Sequence, residues 1–469
     1  MIMIKRFIKT AMTYLAGNVL SKLIAILLLP LYTSYLTPNQ YGTFDLTVSI
    51  LSFLLPVAFF QIWDGMFRFA FDYEDNREKY GVISNAFFIG LLGTIIYSVF
   101  FWGAFIVLRF ENVILVFVYG LSMALNYQYT FIARAFIKNK LFVISGLINS
   151  LLSALINVLL IVVYNFGVES LFIAPTIGSL FQILLIEINL RPLKYYKSRD
   201  LNRQMMISML KFSVPLCIAT VSYWLLSGFT KLVIYQNLGA YENGLYAVAS
   251  KFAAMITLVV GVFQYAWNEM AYLLSGNKDR ITTYQKGINY IFKVVVLGSC
   301  VLLFIIKLIF PMFIDAAFQQ ALVIVPSTLL GVSINAFAGF IGTIFLTEKR
   351  TSWIFWSTIF AALFNVLSVW LFVNLWGLQG AVGALSLSFV ILAAIRIFMI
   401  SKVFILNIPR SWIYYIIFLC IIVYLFYVIE STSGLIIAIF LLCIIALYLL
   451  KDILSLIWLS KKTRKDEKS

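Results

Sequence analysis

The 469-residue chain has no histidine and few charged residues, which make up 12% of the sequence. Without histidine there is no histidine general base, no histidine-ligated metal and no Ser-His-Asp triad. The four cysteines stand singly in apolar stretches, without the paired spacings of metal or redox sites. The sequence also lacks a glycine-rich ATP-binding loop, so direct use of ATP is not expected. We therefore expect a protein that is not an enzyme and that holds no metal or cofactor.

Apolar residues dominate what is present: they form 63% of the chain, and the mean hydropathy is +1.00. A helix needs about 20 mostly apolar residues to cross a bilayer core about 30 Å thick. The apolar stretches between polar breaks predict about fourteen such helices. In chain order they are centred near 11–36, 44–69, 82–108, 112–132, 141–164, 169–190, 212–236, 244–272, 288–310, 321–346, 353–373, 378–400, 412–429 and 435–459. They are continuous rather than alternating, which argues against a membrane barrel. The sequence thus predicts an all-α polytopic membrane protein.

The distribution of lysine and arginine predicts the orientation. The chain has 35 basic and 19 acidic residues, giving a net charge of +16. With both termini inside, the predicted outer connections contain one basic residue, Arg109, and the basic residues otherwise collect in inner segments and the C-terminal tail. This is the pattern of cytoplasmic loops, and it does not form a nucleic-acid-binding surface. The predicted outer connections lie near 37–43, 109–111, 165–168, 237–243, 311–320, 374–377 and 430–434.

The chain also repeats one pattern in the same direction, about 200–210 residues apart. The matching segments are Leu36–Phe44 with Leu238–Tyr246, Phe60–Met66 with Phe263–Met270, and Ala154–Leu159 with Ala362–Leu367. A shared offset favours a duplicated six-helix unit, and parallel repeats are typical of transporters. We predict six-helix lobes at 1–200 and 201–405, followed at 406–469 by two additional helices and a basic cytoplasmic tail.

Polar residues inside the predicted spans are the candidate binding residues, because a charge in lipid is costly unless it has a function or a partner. Asn18 and Lys22 share a face deep in the first span. The other candidates for a cationic, substrate-binding cavity are Arg68, Lys231 and Lys251. The alternative is that these residues are structural ion pairs or reach the lipid interface.

The second and eighth predicted spans end with similar residues, which makes them candidates for an inner gate or for ion coupling. The candidates are Gln61, Trp63 and Asp64 in the first repeat and Gln264, Trp267 and Glu269 in the second. We expect the two groups to face each other at the cytoplasmic end and Arg68 to be a partner for Glu269. Packing of the two tryptophans is the alternative interpretation.

Several segments resemble a known family. The residues Asn18–Lys22, Leu29–Thr33 and Leu36–Gly42 resemble the opening of Wzx-type polysaccharide flippases, which belong to the MATE-like (MOP) exporter superfamily. Gly244–Phe252 and Gln264–Trp267 are similar to the start and end of that family's eighth helix. The resemblance covers essentially the whole chain and implies a MATE-like fold of fourteen helices. One departure is the sequence before Lys231, where many relatives carry an acid beside the base.

The resemblance implies a substrate, an oligosaccharide repeat unit linked to a polyprenyl diphosphate, flipped across the bacterial inner membrane by alternating access. The product would be O-antigen of lipopolysaccharide or capsule, and the implied protein partners are a polysaccharide polymerase and a chain-length regulator. A proton or sodium gradient would be an adequate energy source, since 100 mV supplies about 2.3 kcal/mol per charge. Asp64 and Glu269 are the acids that we would test first for coupling.

Three alternatives remain at this point. A multidrug or other lipid-substrate exporter of the same superfamily is one, although cationic drugs favour acids in the cavity rather than lysines. A membrane glycosyltransferase or polymerase would normally carry a sizeable outer loop or cytoplasmic domain, which this sequence lacks. A scaffold without transport activity would not need lysines within its spans.

The charge pattern makes a prediction about topology. A reporter fused after Glu430 should be outside the cytoplasm, and one fused after Ser469 should be inside. An external C-terminus would contradict the predicted even number of spans with both termini inside.

Overall fold

The computed structural model describes residues 23–108, 112–258, 260, 261, 263, 264, 267, 280–348, 350–402 and 409–445. Within these ranges every regular element is a helix, and no strand is formed. The chain divides into two compact units, the first ending at Gly244 and the second beginning at Leu245. The lobe boundaries predicted near residues 200 and 405 stay a prediction.

The first unit has two short helices, Leu29–Tyr35 and Ile62–Ala70, and its other complete helices are of membrane length. In chain order they are α1 (Leu29–Tyr35), α2 (Pro38–Ala58), α3 (Ile62–Ala70), α4 (Asn76–Leu108), α5 (Val113–Ala135), α6 (Asn139–Val158), α7 (Ser170–Leu190) and α8 (Arg203–Leu238). A π-helical turn, Leu159–Val163, extends α6. The next helix, α9 (Ala240–Ala253), begins in the first unit and continues into the second.

The second unit continues with three long helices and two shorter ones. They are α10 (Arg280–Phe313), α11 (Val325–Thr347), α12 (Thr351–Ser401), α13 (Ser411–Val428) and α14 (Thr432–Ile445). A 3₁₀ segment, Ala316–Ile324, leads into α11. The regular dihedrals of α12 are interrupted at Trp376 and at Gly377, whose φ is 58°. Glycine tolerates this left-handed conformation, so α12 is two helical segments joined by a kink.

Ten of the described helical segments are long and apolar enough to cross a membrane. One of them, α12, is split at Gly377 into two segments that match two predicted spans. Shorter apolar helices, Leu23–Tyr35 and Thr432–Ile445, lie where the first and fourteenth spans are predicted. α9 begins the predicted eighth span. The prediction of an all-α, multi-pass membrane protein is confirmed.

Local sequence fixes where α2 and α9 begin. Thr37 and Gln40 form a reciprocal capping box around the start of α2, and Pro38 occupies its first turn. Between α8 and α9 the chain turns at Gly239, whose φ is 96°. This positive φ suits glycine, and the turn brings the start of α9 back toward the start of α2.

The starts of α2 and α9 touch through the two glycines of the repeated motif. A Cβ on Gly42 would lie 2.0 Å from the carbonyl oxygen of Ala240, and a Cβ on Gly244 would lie 2.1 Å from that of Pro38. Asn243 adds a hydrogen bond of 2.7 Å from its Nδ2 to the Gly42 carbonyl. Only glycine permits such close backbone contact. The two copies of the repeated Leu-to-Gly pattern therefore contact each other, one at the start of α2 and the other at the start of α9.

Each unit also contains a polar side chain that links three of its helices. In the first, Gln182 on α7 accepts hydrogen bonds from Asn126 on α5, at 2.9 Å, and from Asn149 on α6, at 2.8 Å. In the second, Arg396 is 6% exposed and donates to the Ala338 carbonyl of α11 and to Ser357 in the first half of α12. Buried amide and guanidinium groups are stable in an apolar bundle because they are hydrogen-bonded.

The glycine contact leads to a stability prediction. Gly42→Ala should lower the melting temperature of the purified protein in detergent, because the new methyl group overlaps a backbone carbonyl. Gly81→Ala in α4 is the matched control, since a Cβ there meets nothing within 4 Å. The control should be neutral or stabilising by up to about 1 kcal/mol. Equal melting temperatures for the two variants would contradict the close contact.

Candidate functional site

One face of α2 packs along one face of α8, and we call this contact the α2–α8 seam. Residues spaced by three or four positions share one face of a helix, so a single side of each helix supplies the contacts. From the predicted outer end inward, the facing pairs are Asp45 with Lys231, Ser49 with Trp224, Phe53 with Trp224, and Pro56 with Cys217. The two helices run antiparallel, and Asp45 of α2 lies beside Lys231 of α8.

Lys231 and Asp45 form an ion pair in this seam, with Nζ 2.7 Å from Oδ2. Their side chains are only 21% and 11% exposed. Each charge compensates the cost of removing the other from water, so neither is stable there alone. The acid that is missing from the sequence beside Lys231 is therefore supplied by α2.

Neutral contacts hold the middle of the seam. Trp224 donates a hydrogen bond of 2.7 Å from Nε1 to the Ser49 carbonyl, and its ring centroid lies 4.7 Å from that of Phe53. Farther along, the Cys217 thiol lies 3.3 Å from the Pro56 carbonyl. Cys217 is thus a buried packing residue with a weak hydrogen bond, as expected for an isolated cysteine in an apolar helix.

At the inner end of the seam, the helix breaks and two of the predicted gate residues meet. Phe60 and Gln61 have positive φ angles of 52° and 48°, which separate α2 from α3. Gln61 donates from Nε2 to Asp64 at 2.8 Å, and its Oε1 accepts from Thr220 of α8 at 2.9 Å. One amide therefore links the carboxylate of α3 to α8. Non-glycine residues at positive φ are uncommon and often mark functional positions.

Arg68 lies apart from this network. It pairs with Asp72, and the two side chains are 54% and 46% exposed. Asp64 instead accepts its hydrogen bond from Gln61. An exposed pair four residues apart contributes less than about 1 kcal/mol.

The two repeated tryptophans occupy equivalent positions within their own units. Trp63 lies 5.1 Å from the Tyr127 ring of α5, and Trp267 lies nearly parallel to the Phe340 ring of α11 at 4.4 Å. Each is 5% exposed. Gln264 donates to the Thr343 hydroxyl at 2.8 Å. These contacts show intramolecular packing, while the gate assignment stays a prediction.

Of the remaining predicted residues, Lys251 is exposed on α9 in the second unit. Asn18, Lys22 and Glu269 lie outside the described residues. The structure thus places Lys231 near one end of the α2–α8 seam and Gln61, which bonds to Asp64 of α3, at the other. Asp45 was not predicted as a site residue, although an acid inside an apolar run is itself a signal of function or pairing.

In a multi-pass helical bundle, an ion pair between two spans marks either a structural contact or a transport pathway. Comparison with known proteins gives the family. Residues 7–267 match the family described as polysaccharide biosynthesis protein. Because this match covers more than half of the chain, the protein belongs to that family. A comparison with curated proteins finds no match.

Several solved structures share the fold. The lipid II flippase MurJ in an inward closed conformation has a TM-score of 0.70 at 15% identity, covering 94% of this chain and 99% of that one. An inward-facing multidrug resistance MATE transporter of the MOP superfamily has a TM-score of 0.69 at 15% identity, with coverages of 81% and 93%. Its outward-facing counterpart gives 0.57 at 14% identity, with coverages of 84% and 93%.

At such identities the likeness establishes the fold, which is the MATE-like fold expected from the sequence. The family match and the shared fold agree with the resemblance that the sequence motifs suggested. The solved structures that share this fold are described as multidrug transporters and a lipid II flippase.

The ion pair can be tested by a double-mutant cycle for stability. Asp45→Asn and Lys231→Met should each destabilise the protein by about 1–3 kcal/mol, because each leaves a poorly hydrated charge unpaired. The double variant should recover much of this loss, giving a clear coupling free energy. The same cycle on Arg68 and Asp72 is the control, and its coupling should stay below about 1 kcal/mol. Similar coupling in both cycles would contradict a special role for the seam pair.

Proposed function

We propose that this protein flips a polyprenyl-diphosphate-linked oligosaccharide from the cytoplasmic to the outer leaflet of the bacterial inner membrane, for assembly of a surface polysaccharide. The family of the chain supports a role in polysaccharide synthesis. The shared fold of a lipid II flippase supports a lipid-linked substrate. Such a substrate combines a dianionic head, polar sugars and an apolar tail, so the transporter must offer a cation within a membrane-length bundle.

The Lys231–Asp45 pair is the observation that carries this proposal. The lysine is held among membrane-length helices by a carboxylate that belongs to a different helix. A phosphate oxygen can replace that carboxylate as the partner of the ammonium group, since both are anionic acceptors. Substrate binding would then exchange one charge pair for another rather than bury a new unpaired charge.

This exchange would release Asp45, and a released carboxylate must find another cation or a proton. We propose that Asp45 couples the cycle to a proton or sodium gradient, with Asp64 and Glu269 as further acids to test. The membrane potential is sufficient for such coupling, since it supplies about 2.3 kcal/mol per charge per 100 mV.

The remaining predicted residues complete the proposal. Lys22, Asn18, Arg68 and Lys251 would add to the cationic cavity. Gln61, Trp63 and Asp64 would form an inner gate with Gln264, Trp267 and Glu269, opening and closing by alternating access. Both termini would be cytoplasmic, and the polymerase and chain-length regulator would be partners in the same membrane.

The proposal is tested in a strain that lacks the gene. Lipid-linked oligosaccharide should accumulate inside the cell and surface polysaccharide should disappear, as measured by extraction of the lipid fraction and by gel analysis of the polymer. The wild-type chain should restore export. Lys231→Ala and Asp45→Ala should reduce export at least tenfold at equal membrane abundance, because each removes one member of the exchanged pair.

Lys211→Ala is the matched control, because Lys211 lies on the same helix with its side chain exposed. It should export normally. Normal export by Lys231→Ala would remove this lysine from the substrate path.

The alternative exporter function is favoured by the acids Asp45 and Asp64, and it predicts a different phenotype: sensitivity to cationic drugs with surface polysaccharide intact.

A further inference from the structure

A small cavity lies on a second face of α2, turned away from the residues that contact α8. Four of its lining residues, at spacings of three and four, come from one face of that helix. The cavity has a volume of about 170 Å³. Its walls include Gln40, Thr43, Phe44 and Thr47 of α2, Asn112 before α5 and Phe172 of α7. All these residues belong to the first unit.

The polar groups of this cavity include both donors and acceptors. Asn112 donates from Nδ2 to Glu169 at 3.0 Å, which leaves its carbonyl oxygen as an acceptor. Gln40 uses its carbonyl oxygen in the capping box at 3.0 Å, and its Nε2 has no hydrogen-bond partner among the described residues. A hydroxyl group both donates and accepts, so a polyhydroxylated ligand matches this mixture.

Two threonines add further acceptors. Thr43 and Thr47 donate their hydroxyl hydrogens to the carbonyls of Asn39 and Thr43, at 3.0 and 2.8 Å. These internal bonds fix the hydroxyl oxygens, whose lone pairs stay available to a ligand. A prearranged set of acceptors reduces the entropy lost on binding.

Aromatic rings line the same space. The centroids of Phe44 and Phe172 lie 5.2 Å apart in an edge-to-face arrangement, and Tyr119 packs against Phe172 at 5.7 Å. A pyranose ring presents C–H groups on its faces and hydroxyls at its rim. An aromatic wall beside amides and hydroxyls therefore matches both parts of a sugar.

The charges around the cavity exclude the anionic part of a lipid-linked substrate. No lysine or arginine is among its described lining residues. The nearest charged group in its hydrogen-bond network is the carboxylate of Glu169. A diphosphate would be repelled there, whereas an uncharged sugar would lose little by entering.

We propose that this cavity is a binding subsite for one uncharged sugar unit of a glycan. A volume of about 170 Å³ lies below the range of about 300–1,000 Å³ that holds drug-sized ligands, so a single ring fits rather than an oligosaccharide. Gln40, Asn112 and the lining residue Val168 belong to or adjoin three predicted outer connections. The subsite therefore receives the sugar on the exit side. The source of the glycan rests on the proposed function.

The test uses the full-length protein in lipid nanodiscs and saturation-transfer NMR. The probes are the methyl glycosides of glucose, galactose and N-acetylglucosamine, and inorganic pyrophosphate is the competitor. We expect at least one glycoside to bind and pyrophosphate not to displace it. Thr47→Val and Asn112→Leu should each weaken that binding about fivefold or more, the effect of losing one hydrogen bond.

Thr94→Val in α4 is the control, because that hydroxyl also donates to the carbonyl four residues earlier but lies outside the cavity. It should bind as the wild type does. The subsite is refuted if none of the three glycosides binds, if pyrophosphate displaces the bound one, or if the two cavity variants bind as tightly as Thr94→Val.

This result is separable from the test of the flippase function. If the deletion strain accumulates no lipid-linked oligosaccharide but the purified protein still binds a glycoside in a Thr47-dependent manner, the proposed function fails and the subsite stands. If export depends on Lys231 but none of the glycosides binds, the subsite fails and the flippase function stands.

Discussion

A bilayer offers polar groups no hydrogen-bond partners, so every amide or charge along a membrane-length helix must be satisfied by another part of the chain. The internal organisation of each unit follows this constraint. Gln182 joins α5, α6 and α7 through its amide, and Arg396 joins α11 to both halves of α12 through its guanidinium. At the α2–α8 seam the same requirement pairs Lys231 with Asp45. The first two links join an amide or a guanidinium to neutral partners, whereas the third is an ion pair.

The two predicted repeats have side-chain contacts at equivalent positions, but the chemical groups that make these contacts differ. Trp63 packs on an aromatic ring of α5, and Trp267 packs on an aromatic ring of α11. These are the fourth predicted spans of their repeats. Gln182 of α7 bonds to α5 and α6, and Arg396 in the second half of α12 bonds to α11 and to the first half of α12. In each repeat, the last predicted span is thus linked to the two spans before it. An amide links these helices in one unit and a guanidinium in the other, because either group can satisfy several acceptors or donors at once. A repeated geometry therefore persists although its hydrogen-bonding groups have changed.

Hydropathy predicted the fold well, because the length of an apolar run directly sets whether a helix can cross a bilayer. The orientation predicted from loop charge stays a prediction. The repeated glycines suggested a duplication, but they did not predict that Gly42 and Gly244 lie in one contact. Asp45 was missed for a similar reason: its partner Lys231 is distant in sequence, and pairing between helices depends on which faces meet. Spacing within a helix does not decide pairing either, since Arg68 and Asp64 are four residues apart but have different partners.

The two faces of α2 connect the proposed sites. One face holds Asp45 against Lys231, and another lines the cavity with Thr43 and Thr47. A helix of this length moves largely as a rigid body, so a shift of α2 that separates the ion pair also moves one wall of the cavity. Under the two proposals, binding at either face would change the free energy of binding at the other, and such coupling is reciprocal. A sugar held by Thr47 would thereby influence whether Lys231 is paired with Asp45 or with a phosphate. Occupancy of the proposed sugar subsite would then favour or oppose release of the diphosphate from Lys231.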